Sequence, residues 1–155
     1  MKLETVLMAL VLTLAAPVLA QQAPPADQEL TLSDQLVQQV LEPLRTGMQA
    51  QNIEAVLSVF DKEELSSYSD LQGNLRAFFQ QFSRVDVRYQ LLQATAENGR
   101  GSATVEMQMD ALPYDPLVAV RRSVQMRLQL KLGPKGWKIT SFTPSDFFNV
   151  DYSPK

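Results

Sequence analysis

The stretch Leu117–Phe142, LVAVRRSVQMRLQLKLGPKGWKITSF, constrains the fold more than any other part of the chain. Val118, Val120, Val124, Met126, Leu128, Leu130 and Leu132 share one parity, while Ala119, Arg121, Ser123, Gln125, Arg127, Gln129 and Lys131 share the other. Successive side chains of a strand point to opposite faces, so this reads as one long strand with an apolar face and a wet face. Gly133-Pro134-Lys135-Gly136 reads as a four-residue hairpin loop, after which Trp137 and Ile139 resume the apolar face. A sheet with one apolar face needs a cover, and the rest of the chain must supply it.

Three amphipathic stripes do so. From Ser33, read as an N-cap, apolar residues fall at Leu36, Val37, Val40, Leu41, Leu44 and Met48. Pro43 lies inside that stripe and removes one backbone donor, which predicts a kink or a break near Leu41. Asn52 can cap a second helix with Ile53, Val56, Leu57 and Phe60 on its face, antiparallel to the first. Ser69 or Asp70 can cap a third, carrying Leu71, Leu75, Phe78, Phe79 and Phe82. At Arg84 the period changes: Val85, Val87, Tyr89 and Leu91 alternate with Asp86, Arg88 and Gln90. Asn98-Gly99-Arg100-Gly101 marks a turn, and Ala103, Val105, Met107, Met109 and Ala111 form the next apolar face. PYDP joins that strand to the long one, and SFTPSDFF closes the domain with a short helix capped by Ser145.

The first twenty residues, MKLETVLMALVLTLAAPVLA, have a short polar start, an apolar run over Val6–Ala16 and a small-residue cleavage signal at Val18-Leu19-Ala20. They predict a cleaved signal peptide and a secreted or periplasmic protein. The apolar run is short for a bilayer span, and no cysteine follows Ala20 to carry a lipid, so no membrane attachment is expected after cleavage. The expected organisation is a signal peptide at 1–20, a flexible linker at 21–31, one domain at 32–148 and a frayed tail at 149–155.

The 155 residues contain no cysteine and no histidine. Disulfides, thiol chemistry and thiolate ligands are therefore excluded, as are the usual general base and the commonest metal ligand. Formal charge is −3, and removing Lys2 and Glu4 with the leader leaves it unchanged, which makes nucleic acid a poor partner. Residues 27–70 hold nine acids against Arg45 and Lys62, a pattern expected of a solvated helical face. Neither a Gly-rich phosphate loop nor a nucleophile elbow is present, so no cofactor and no metal is expected.

Three helices, the third ending FFQQF, followed by an antiparallel sheet whose last hairpin reads LQLKLGPKGWKI, resemble the nuclear transport factor 2-like (SnoaL-like) superfamily. The resemblance runs from about Leu32 to Phe148, with NIEAVLSVF and Gly136-Trp137-Lys138-Ile139 as its most recognisable pieces. It implies an α+β fold of cystatin-like class, in which three N-terminal helices pack on a strongly curved antiparallel sheet to form a cone with a pocket at its wide end. Isomerases, dehydratases, epoxide hydrolases, transport adaptors and exported members without an assigned activity share that architecture, so it does not select a function.

Arg122 is the anomaly of the long strand. It shares parity with its apolar neighbours on both sides, and a single bulge cannot repair that. Either it lies at the sheet's rim with its guanidinium in water and its stem packed, or it stands at the pocket mouth to pair a ligand carboxylate or phosphate. An internal partner such as Asp61 would make it structural. Tyr89 also faces inward and needs a hydroxyl partner, while Met107 and Met109 could line an adaptable cavity. The expected ligand-binding residues are thus Tyr89, Met107, Met109 and Arg122.

The function expected on these grounds is non-enzymatic binding of a small amphipathic molecule or a protein partner, with a weak homodimer through the polar outer face of the sheet. A cone-pocket isomerase or hydrolase is the alternative. It would need a carboxylate base in an apolar pocket, and Asp61, next to Phe60, is the sole inward candidate, with Tyr89 or Arg122 stabilising negative charge. Asp110, just before PYDP, and Asp115 within it are near each other but read as a solvated loop pair.

Overall fold

The computed structural model describes residues 30–152. The expected signal peptide and nearly all of the expected linker lie outside the described residues. The helical layer begins with one continuous segment: α1 (Leu32–Leu36), a π-helical turn over Val37–Leu41, and α2 (Glu42–Gln49). Thr31 rather than Ser33 caps α1, in a reciprocal box with Asp34. The expected break at Pro43 takes the form of the wide turn preceding it, in which Glu42 N–H donates to Val37 O; Pro43 itself sits in the first turn of α2, where its missing N–H costs least. Asn52 caps α3 (Ile53–Leu57), and α4 (Tyr68–Gln81) starts from Ser67, earlier than expected.

Four antiparallel strands follow in spatial order β1-β2-β3-β4: β1 (Phe82–Glu97), β2 (Arg100–Pro113), β3 (Val120–Gly133) and β4 (Gly136–Thr143). Both expected turns are tighter than their sequences suggest. Asn98 and Gly99, both at positive φ, alone connect β1 to β2, and Gly133 pairs with Gly136 so that only Pro134 and Lys135 lie between the strands. Phe82 belongs to β1, not to the third helix; its Cα partner is Pro113. Register shifts near Ser83, Leu92 and Thr140 interrupt the ladders, and such bulges bend a strand and increase its twist.

The helices lie on the apolar face. Leu36, Leu41, Leu44, Val56, Leu75 and Phe78 meet Val87, Val105, Met107, Met126, Leu128 and Ile139 in one buried cluster. Gln35 accepts a hydrogen bond from the Trp137 indole and Gln39 one from the Trp137 backbone N–H, which pins the first helix to the last hairpin. Phe60 makes a parallel bridge to Ile139 beyond the edge of β4. β4 pairs with β3 only over Arg127–Gly133, leaving Val120–Met126 of β3 without a partner on that side. The chain after β4, residues 144–152, turns back towards this half and covers it at Arg122. We refer to it as the C-terminal strap.

Candidate functional site

Arg122 is 2% exposed and is the one charged residue buried among the described residues. Its guanidinium does not reach water at a rim, and its partner is not Asp61. It donates instead to two strap carbonyls, Phe147 O at 2.6 Å and Val150 O at 3.1 Å, while its Nε has no acceptor. The Phe78 and Tyr152 rings lie 5.1 and 5.2 Å from the guanidinium carbon, and that of Phe82 at 6.0 Å. Burial lowers its pKa from the ordinary guanidinium value. The rim reading fails because parity fixes the face of a strand but not the depth at which a residue lies along it. Val118 and Val120, on the same face, are 66% and 41% exposed, whereas the strap covers Arg122.

The strap was legible only as a short helix and a tail. Its residues form hydrogen-bonded turns, Asn149 N–H to Asp146 O and Tyr152 N–H to Asn149 O. Phe147 and Phe148 are fully buried, stack edge-to-face on each other and join Phe60 and Phe142. Val150 and Tyr152, expected in a frayed tail, pack against the core. The pair of phenylalanines after Pro144 is the signal that marks this segment in the sequence.

Tyr89 lies two strands away, on β1, and points to α2. Its hydroxyl donates to Glu42, which also accepts from Arg45 at 2.7 Å; Arg45 continues to Gln49, and Gln49 donates to Asp86 on β1. Arg45, and after it the Tyr89 hydroxyl, hold the Glu42 carboxyl below the usual range. Burial, reinforced by Glu42, pushes the Tyr89 phenol up to about 12. The Glu42–Arg45 spacing on one helix turn was visible in the sequence, but its contact with Tyr89 depends on how α2 crosses β1.

Asp61 is not directed into an apolar pocket. Its Oδ1 accepts from the backbone N–H groups of Glu63 and Glu64, closing a turn, and its own N–H donates to Ile139 O. Ile139 pairs with Leu130, eight residues along β3 from Arg122, which is roughly 25 Å at the rise of a strand. At that end Glu64 takes Arg100 at 2.6 Å and Lys131 at 2.6 Å, a clamp across two hairpins that holds its carboxyl down to about 2.

Met107 and Met109 are buried in the core. The seam between the first helix and the sheet, lined by Leu36, Val40, Leu91, Val105 and Leu128, has no room for a water molecule. Open clefts lie elsewhere: one of about 510 Å³ beside Asn52, Glu54, Gln72 and Arg76, one of about 200 Å³ between α4 and the strap, lined by Asp70, Asn74, Phe142, Asp146 and Asn149, and one of about 170 Å³ on the outer sheet face beside Arg88 and Glu106. Asp110, on that face, is engaged by Arg121 at 2.6 Å and Arg88 at 2.7 Å, and Arg121 first holds its pKa down. Among the described residues no three carboxylates gather as a metal site.

No protein-family model and no curated protein sequence matches the chain. Solved structures do. A nuclear transport factor 2-like superfamily protein from Salmonella enterica superposes with a TM-score of 0.60 at 10% identity, over 70% of this chain and 86% of that one. A ketosteroid isomerase-like protein from Erwinia carotovora gives 0.57 at 12% identity, over 69% and 90%. A protein with a cystatin-like fold from Nostoc punctiforme gives 0.53 at 14%, over 74% and 91%. Helix order, the four-stranded antiparallel sheet and these superpositions agree that the chain has the nuclear transport factor 2-like fold, an α+β cone.

Proposed function

We propose that this chain is an exported binding domain, non-enzymatic, that takes a small amphipathic molecule at the wide end of its cone or docks a protein partner. One observation carries the reading: Asp61, Tyr89 and Arg122, the groups an isomerase or hydrolase would need together, are each committed to a different part of the protein. Acid–base catalysis requires its groups within hydrogen-bond reach of one reacting centre, and these three are fastened instead to the turn at Glu63–Glu64, to α2 and to the strap. A weak homodimer through the outer sheet face belongs to the same proposal; that face is polar, with Arg88, Asp110 and Arg121 linked across strands.

Native mass spectrometry of the protein purified from its own host tests the reading. A retained small-molecule adduct or a stoichiometric protein partner, with an N-terminus beginning near Gln21, is the expected result. Turnover of an enone or epoxide panel that is lost in Asp61→Asn would overturn it in favour of the catalytic alternative.

A further inference from the structure

We propose that the part of the core closed by the C-terminal strap is a site for an amphipathic carboxylate, with Arg122 as its anchor and the strap occupying that site in the ligand's absence. This rests on the binding reading above and names the ligand class. A guanidinium removed from water is best satisfied by a carboxylate that meets its fork with two oxygens. Arg122 has no carboxylate within ion-pair distance among the described residues, only Phe147 O and Val150 O. Those two carbonyls take up its Nη1 and Nη2 donors, but they carry no net charge.

The arrangement is also incomplete. Arg122 Nε and Asn149 Oδ1 are both buried without partners, although the first is a donor and the second an acceptor. Buried polar groups are ordinarily satisfied, so the strap fits this place less well than the rest of the core fits its own. The groups packed about the guanidinium outside the strap are apolar and aromatic, Phe78, Phe82 and Met109, its register partner on β2, and the carboxylate whose charge reaches it, Asp146, belongs to the strap itself. A ligand with a carboxylate head and an alkyl or aromatic tail matches both features, its tail taking the volume of the Phe147 and Phe148 rings.

The strap can yield that volume without breaking a sheet. It joins no strand ladder, and its own backbone bonds close turns within residues 146–152. Its opening takes Phe147 and Phe148 out of the core, and the ligand's tail replaces them there.

The test is a titration of 15N-labelled protein with sodium decanoate, with decan-1-ol as the probe lacking a carboxylate, followed by nuclear magnetic resonance. Decanoate is expected to shift the Arg122 Nε–H resonance together with the amides of Phe147–Tyr152, saturably, and to bind about ten- to a hundredfold more tightly than the alcohol. Arg122→Lys keeps the charge but not the fork, and should lose most of that difference. Equal binding of the two probes with the strap resonances unmoved overturns the proposal while leaving a binding domain whose site is elsewhere. Binding of neither probe also overturns it, and the species retained from the host then decides the broader reading separately.

Discussion

Gly47 and Gly73 both occupy helices, and replacing each with alanine should move stability in opposite directions. Helix propensity alone favours either change by about 0.8–1.0 kcal/mol. Gly73 lies exposed within α4, and a Cβ there would meet nothing within 4 Å, so Gly73→Ala should realise that gain. At Gly47 the same Cβ would stand 2.9 Å from Val56 N, 2.9 Å from Val56 Cγ2 and 3.2 Å from the Ala55 carbonyl carbon. Two of those atoms are backbone, and Val56 is fully buried, so α3 cannot retreat without dragging its core face along. Overpacking of this kind costs about 1–3 kcal/mol, which outweighs the propensity gain. Gly47→Ala should therefore lose about 1 kcal/mol net, and the two variants should differ by about 2 kcal/mol. Urea unfolding of both variants and the parent, extrapolated linearly, measures this directly. A Gly47→Ala protein as stable as Gly73→Ala would refute the close approach of α2 to α3.

Three further outcomes follow from the electrostatics. The Glu64 carboxyl is held down to about 2 by Arg100 and Lys131, so its contribution is complete above its unfolded value near 4.5 and disappears as pH falls towards 2. Glu64→Gln should flatten the acid limb of the stability–pH curve in that window, and an unchanged limb would remove the clamp. Of the four tyrosines, Tyr89 should ionise only near pH 12 in an ultraviolet titration, and Tyr89→Phe should delete that step; persistence of a step there assigns it to another tyrosine. Arg122→Met leaves the Phe147 and Val150 carbonyls without their donor, for a loss of about 1–3 kcal/mol. Amide exchange at Asn149 and Tyr152 should accelerate, whereas unchanged exchange would mean that the arginine does not hold the strap.

Much of the fold could be read directly because period and punctuation are local properties. The face of β3, the cap at Asn52, the Asn98-Gly99 turn and the aromatic stripe on α4 follow from spacing alone. What could not be read depends on depth and crossing. Parity gives Arg122 its correct face, yet its burial comes from a segment more than twenty residues later that packs over its place on β3. Val118 and Val120 have the same parity and are exposed because nothing covers them. Asp61 illustrates the converse: adjacency to a buried Phe60 suggested an inward carboxylate, but two loop N–H groups offered it a nearer partner. The Tyr89–Glu42 contact joins residues of a helix and a strand whose crossing no periodicity encodes.

The direction in which the carboxylates are perturbed bears on what this cone can do. A carboxyl that serves as a general acid, or as a base poised near neutrality, is pushed up by burial in an apolar pocket. Glu42, Glu64 and Asp110 are displaced the other way, each by cationic or phenolic donors that stabilise the anion. Such groups are weak proton acceptors, and each fastens one element to another: α2 to β1, the Glu64 loop to two hairpins, and β1 to β2 and β3. The charge that has been taken out of water is cationic instead, on Arg122, where the turns of the strap rather than a strand close the core. A buried cation among aromatic rings, satisfied only by neutral carbonyls, selects for an anion with an apolar body. On the binding reading proposed above, that preference is one for recognition rather than proton transfer.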